Sequence, residues 1–168
     1  MPVGIGPSVL ASDMSKLADE AQELAKHFSD HDYLHLDVMD GHFVPNLTFG
    51  APVIKVSNSD ALQCSVATYQ VTLCALLVVR QGLRKHTKAC LDAHLMVSNP
   101  AQWVDDMADA GVDRFTFHVE ATDKHKELIN AVKAKGMKVG IALKPGTPVD
   151  AVLPFCELLV SKQVRCCV

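Results

Sequence analysis

Five short β-rich runs begin near residues 3, 33, 90, 114 and 138, and stretches with helical spacing separate them. Strand and helix in alternation mark a parallel α/β sheet, because a parallel neighbour is reached only through a crossover. That pattern confines the chain to two architectures, an open doubly wound sheet or a (β/α)8 barrel. No G-x-G-x-x-G follows the first run and no Walker P-loop occurs, so the usual signatures of nucleotide binding are missing.

The runs are Val3–Leu10, Tyr33–Met39, Cys90–Val97, Arg114–Val119 and Lys138–Leu143, with a sixth strand starting at Leu158–Val160. Between them, Met14, Leu17, Ala21, Leu24 and Phe28 recur at three- and four-residue steps, with Ser12 as the expected N-cap. Asn99 and Pro100 read as an N-cap and first helical residue, ahead of a stripe of Trp103, Val104 and Met107 that ends at Gly111. Thr122 is the expected cap of a helix carrying Leu128, Ile129 and Val132 and closed by Gly136; Thr147 and Pro148 open a further short helix.

The spacing is uneven. One gap, from residue 33 to residue 90, is about twice the others, and the excess sits in Val56–Gly82. That stretch lacks helical periodicity and reads as an insert within one connection, since long structureless loops are rare in compact domains. Val56–Ser57 is what a splice-donor sequence encodes when read in frame, so retained intron sequence or a gene-model error would account for it. Within it, VTLCALLVV is β-prone, uncharged and free of proline, the composition of an aggregation hazard.

Composition narrows the partners. With 16 basic and 19 acidic residues the net charge is −3, and no basic cluster suggests a nucleic-acid footprint. The longest mostly apolar run, Val71–Val79, is far short of the roughly 18 residues that a membrane span needs. No basic segment precedes the first apolar residues, so no signal peptide is expected and the default compartment is the cytoplasm. The six cysteines form no C-x-x-C pair and read as reduced thiols.

The chemistry concentrates in Tyr33–Asn46, YLHLDVMDGHFVPN. Alternate strand residues share a face, so His35, Asp37 and Met39 point one way while Leu36 and Val38 point the other. His94 and Met96 repeat the arrangement on the next strand. Two histidines and a carboxylate can hold a divalent metal such as Zn²⁺, Fe²⁺, Co²⁺ or Mn²⁺. A carboxylate beside that metal can take a proton from carbon next to a carbonyl. Taken singly, an inward histidine is more often a hydrogen-bonded core residue and a methionine is packing; the joint pattern is what singles these out.

The segments GPSVLASD, HLDVMDGHFVPNLTFGAPVI, LDAHLMVSNPAQW, FTFHVEA and GMKVGIALKPGTPV closely resemble the ribulose-phosphate 3-epimerase family. The resemblance covers residues 1–55 and 83–159. It implies a (β/α)8 TIM barrel with one divalent metal at its mouth. It implies conversion of D-ribulose 5-phosphate to D-xylulose 5-phosphate in the pentose phosphate pathway, by two-base proton transfer through a cis-enediolate. By that likeness His35, Asp37 and His94 are metal ligands, and Asp37 is also one of the two acid/base groups. Ser8 and His94 contact substrate, and Met39 and Met96 line the enediolate. His118 receives no role, with support of the metal ligands an open option. Lys144, in KPGT, reads as a structural strand-end residue. Family members commonly form homo-oligomers.

The chain also departs from the pattern. The family's second catalytic Asp, its fourth metal ligand, lies in an Asp-Gly-Gly motif that these 168 residues lack, as they lack the late glycine-rich phosphate loops. A full barrel uses at least about 200 residues. The expectation is an incomplete barrel over residues 1–160, with about five βα units, strands six to eight largely missing, the insert at 56–82, and an unmatched tail at 161–168. With one proton-transfer face, such a chain alone has little or no epimerase activity. The alternative is a non-catalytic fragment that binds metal or pairs with full-length subunits. An aldolase or synthase barrel would need phosphate loops that are absent.

Overall fold

The computed structural model describes residues 4–48, 83, 84 and 86–159, and the backbone of 164–166. A five-stranded parallel sheet forms its centre: β1 (Tyr33–Met39), β2 (Cys90–Met96), β3 (Arg114–His118), β4 (Lys138–Leu143) and β5 (Val164–Cys166). The spatial order is β1-β2-β3-β4-β5, the order of the chain. A doubly wound sheet reverses its order at a switch point; none of the described strands does so. The sheet therefore winds in one direction, as the strands of a barrel do.

Among the described residues, α1 (Leu17–Ala25), α2 (Val104–Asp109) and α3 (His125–Ala134) accompany it. The left-handed glycines Gly111 (φ 78°) and Gly136 (φ 80°) follow α2 and α3, as the sequence leads one to expect. Each helix lays its apolar stripe on one face of the sheet: Leu17 and Ala21 from α1, Met107 from α2, and Leu128, Ile129 and Val132 from α3. That face offers Leu34, Leu36 and Val38 from β1, Leu91, Ala93 and Leu95 from β2, Phe115 and Phe117 from β3, and Val139, Ile141 and Leu143 from β4, all buried.

The other face is polar. In register across β1, β2 and β3 run His35, Asp92 and Arg114; one step up the strands come Asp37, His94, Thr116 and, on β4, Gly140. Above these, Met39 pairs with Met96. Gly140 is the residue that lets Thr116 fit: a Cβ there would lie 2.4 Å from the threonine hydroxyl. The period-2 alternation of β1 thus separates a hydrophobic layer from a chemical one.

Several expectations change. The run Val3–Leu10 forms no regular strand among its described residues. Tyr33 and His35 donate backbone N–H groups to the carbonyls of Ile5 (3.1 Å) and Pro7 (2.9 Å), and Ser8 makes a single parallel bridge to His35. Pro7 has no N–H to return to the ladder, and the chain turns into a 3-10 helix at Val9–Ala11. Ser12 closes that turn; the cap of the next is Asp13, whose carboxylate accepts the Ser15 N–H at 2.9 Å. Asn99 holds the cap position before Pro100 without a side-chain capping bond. Thr122 accepts the Lys124 N–H, one step ahead of α3. After Pro148 come 3-10 turns, Val149–Ala151 and Leu153–Leu158. Leu158 therefore belongs to a turn, and the fifth described strand lies at Val164–Cys166, within the tail for which no element is expected. It finds its place by pairing with Ile141–Leu143 of β4. Cys90 and Cys156 are free thiols, in line with a reduced chain. The insert at 56–82 lies outside the described residues.

Candidate metal and proton-transfer site

The polar face converges on one carboxylate. Asp37, near the C-terminal end of β1, has Oδ1 at 3.1 Å from His35 Nε2 and 3.1 Å from His94 Nδ1. Strand alternation brings His35 and Asp37 to one face, and register sets His94 directly across from Asp37. The imidazoles of His35 and His94 stack with centroids 5.6 Å apart. On the other oxygen, Ser8 donates its hydroxyl to Asp37 Oδ2 at 2.8 Å. Thr48 braces the strand end, donating to the Asp37 carbonyl (2.7 Å) and accepting from the Met39 N–H (3.1 Å).

Every expected site residue is therefore present in one cluster: Ser8, His35, Asp37 and His94 in contact, with Met39 and Met96 on the same face one step above. Lys144 leaves the end of β4 with Nζ 3.7 Å over the Phe43 ring, a cation–π contact.

A further layer escaped the sequence reading. Asp92, fully buried, reaches His35 Nδ1 at 3.1 Å, accepts the Thr116 hydroxyl at 3.3 Å and faces Arg114 at 3.9 Å. Its signal was available, since Asp92, His94 and Met96 alternate just as His35, Asp37 and Met39 do. His118, at the end of β3, lies 2.9 Å from His94 through their Nε2 atoms.

The electrostatics follow from these contacts. Burial works against a charged His35, but the Asp37 and Asp92 carboxylates on either side outweigh it and push its pKa up to about 9. Burial also opposes an ionised Asp37; the hydrogen bonds of His35, His94 and Ser8 and the charge of His35 hold it well below the usual carboxylate range. Burial, reinforced by neighbouring His94, lowers His118 to about 4, so it is neutral near pH 7.

The donor set fits a divalent ion. His35, Asp37 and His94 each offer a ligand atom, and these atoms lie within 4.8 Å of one another. Two imidazole nitrogens and an anionic oxygen facing one point are a donor set that a divalent cation takes. Asp92 on the far nitrogen of His35 is the outer carboxylate that typically fixes the tautomer of a metal-binding histidine. The set combines imidazole with carboxylate, which suits first-row divalent metals rather than a thiolate-selecting one.

A family model described as the ribulose-phosphate 3 epimerase family matches residues 4–68 and 67–161. The cytoplasmic isoform of ribulose-phosphate 3-epimerase from rice (Oryza sativa subsp. japonica) is 47% identical over 154 residues, covering 91% of this chain and 55% of the relative. The ribulose-phosphate 3-epimerase of Schizosaccharomyces pombe is 42% identical over 92% of the chain and 57% of its own length. That of Treponema pallidum is 43% identical over 96% and 62%. The chain thus spans between 55% and 62% of the length of these relatives. Among solved structures, a Thermus thermophilus protein soaked with ZnCl2, TTHB071, superposes with a TM-score of 0.50 at 12% identity. That match covers 99% of this chain and 66% of that one, a likeness of fold alone.

Proposed function

The chain belongs to the ribulose-phosphate 3-epimerase family, and on that premise we propose that its polar face is the metal-binding half of an active site for epimerisation at C3 of a ketopentose phosphate. The observation that carries this reading is the shared Asp37 oxygen, with a nitrogen of His35 and a nitrogen of His94 each 3.1 Å from it. His35, Asp37 and His94 hold one divalent metal, of the Zn²⁺, Fe²⁺, Co²⁺ or Mn²⁺ group. Bound there, such an ion would supply Lewis acidity, which makes the C–H on the hydroxyl-bearing carbon next to a carbonyl more acidic.

The remaining steps belong to the chain. Asp37 is held ionised, as a base must be, and its carboxylate accepts the C3 proton on one face of the substrate. Ser8 donates to the other Asp37 oxygen, which fixes the carboxylate plane, and it contacts substrate. Met39 and Met96 present polarizable, non-ionising surface to the planar intermediate and offer no competing base. His94 serves both as ligand and as a substrate contact.

Inversion needs a second acid on the opposite face, and the 168 residues contain no Asp-Gly-Gly motif to supply it. By themselves they therefore form about five βα units of an eightfold barrel, interrupted near 56–82, with tail residues 161–168 beyond the family pattern. The family match falls in two segments that overlap at 67–68 and together run through 56–82. The reading places the protein in the cytoplasm, with a sugar-phosphate substrate, and in homo-oligomers when the barrel is complete. None of the described helices is long and apolar enough to cross a membrane.

The test is to load the purified chain with Zn²⁺ or Co²⁺ and offer D-ribulose 5-phosphate in D2O. Metal binding with slow deuterium entry at C3 and no xylulose 5-phosphate is the expected result. Robust inversion overturns the one-face reading, and failure to bind metal overturns the metal centre. The second reading is a non-catalytic barrel fragment that binds metal or pairs with full-length subunits. Co-purification with a full-length epimerase subunit, without turnover, would support it.

A further inference from the structure

The two histidines of the metal centre are supported differently. His35 has a carboxylate on its far nitrogen, whereas His94 has another imidazole. His118 is 2% exposed and holds Nε2 2.9 Å from His94 Nε2, the rings 5.0 Å apart and 30° from parallel. Two ring nitrogens at that distance share a single hydrogen, one donating and the other accepting. His94 turns its other nitrogen, Nδ1, to Asp37. A metal binds a lone pair, so when His94 ligates through Nδ1 its hydrogen sits on Nε2, and His118 Nε2 accepts it.

His118 then carries its own hydrogen on Nδ1. That buried atom has no hydrogen-bond partner among the described residues, and it faces the Glu120 carboxylate with Oε2 at 3.4 Å. The separation is long for an N–H···O bond, yet a carboxylate accepts only, so it selects the Nδ1–H tautomer. Glu120 is anchored in turn: its Oε1 accepts the Lys144 N–H at 2.8 Å and the Thr147 hydroxyl at 2.5 Å. The Phe43 ring lies 5.0 Å from the His118 ring. Three side chains thus line up behind one metal-facing lone pair.

We propose that His118 is a positioning residue that fixes the tautomer and ring angle of His94 for metal binding, with Glu120 as the anchor that fixes the tautomer of His118. The inference rests on the metal-centre reading above. A neutral acceptor in this place orients His94 without adding a third carboxylate beside Asp37 and Asp92.

The experiment is a Zn²⁺ titration of the purified chain against a chromophoric chelator, with the visible Co²⁺ spectrum as a second readout and thermal melts as a check on folding. His118→Phe keeps the volume and removes the acceptor; Zn²⁺ affinity is expected to fall about 10–100-fold, the usual cost of losing an outer partner, with a changed Co²⁺ spectrum. His118→Gln, whose amide oxygen can accept from His94, restores most of the affinity. Glu120→Gln places an amide hydrogen against His118 Nδ1–H and weakens binding to a lesser degree. Folded His118→Phe with unchanged affinity and spectrum overturns the inference while leaving the metal centre standing. Should His118→Phe fail to fold, Glu120→Gln decides, and unchanged binding there overturns the inference. A wild-type chain that binds no Zn²⁺ removes the metal-centre reading and this inference together.

Discussion

The two faces of the sheet are both largely removed from water, yet they are built from opposite chemistry. On the helix-facing side, Leu34, Leu91, Phe115 and Ile141 are 0% exposed and carry no polar side-chain atom. On the other side, Asp92 (0%), His94 (3%), Thr116 (1%) and His118 (2%) are buried just as deeply. Burying apolar surface stabilises at roughly 25 cal/mol per Å², whereas buried polar groups cost free energy unless each is satisfied. The polar face meets that demand by hydrogen-bonding its members to one another, and it still leaves nitrogen atoms of Arg114 and His118 without hydrogen-bond partners among the described residues. One face supplies stability, and the other carries incompletely satisfied groups of the kind that mark a site.

Four substitutions or conditions separate these roles, from the largest effect to the smallest. Phe117→Ala empties a site in the apolar layer and should cost about 3–5 kcal/mol, read by denaturant unfolding. Metal affinity of the molecules that remain folded should not change, and a parallel loss of affinity would mean that the layers are not separable. Asp37→Asn should act in the opposite sense. It removes the negative charge on which both histidines converge and puts an amide NH2 in place of one oxygen, so Zn²⁺ binding should fall by more than the roughly 10–100-fold typical of losing an outer partner. Its metal-free melting temperature should move far less than that of Phe117→Ala.

Asp92→Asn tests the layer beneath. His35 loses the carboxylate that fixes its tautomer, and affinity should drop about 10–100-fold, with some loss of stability because buried Arg114 loses its facing charge. Titration calorimetry together with a melt distinguishes the two effects; unchanged affinity would make Asp92 purely structural.

The smallest effect belongs to acid. Burial raises the Asp40 pKa, but N–H groups of Ser98, Phe43 and His42 and the Ser98 hydroxyl outweigh it, for a net lowering. In the unfolded chain Asp40 takes up its proton near the ordinary value of about 3.9, before the folded chain does. Its stabilisation is therefore full above that value and is lost as pH falls through the lowered one. Hydrogen exchange at Phe43 and Ser98 should accelerate over that acid range, and Asp40→Asn should flatten the dependence. An identical pH profile in the variant would show that Asp40 does not tie the loop after β1 to the end of β2.

Much of this was legible in the residues. Tyr33–Met39 and Lys138–Leu143 form strands with the expected bounds, the first carried by its alternation and the second by a short apolar run with Val139 and Ile141. Alternation also assigned His35, Asp37 and Met39 to one face. The misses have local causes. Val3–Leu10 is apolar enough for a strand, but Gly4, Gly6 and Pro7 weaken its ladder. Asp13 displaced Ser12 because either side chain can cap, and only the backbone path decides between them. Val164–Cys166 is too short for periodicity to show, and its strand character comes from the neighbour it pairs with.

By itself the sequence determined the family, the α/β alternation and which face each donor occupies, since all of these follow from residue identity and a two-residue repeat along one strand. The height at which neighbouring strands meet is a different quantity. Register comes from packing every strand and helix together, and no single segment encodes it. Only the tertiary structure set His94 across from Asp37, Asp92 across from His35, and His118 within hydrogen-bond distance of His94. Hydrogen bonds act over about 3 Å, less than one step along a strand, so those placements turn a row of polar residues into a site.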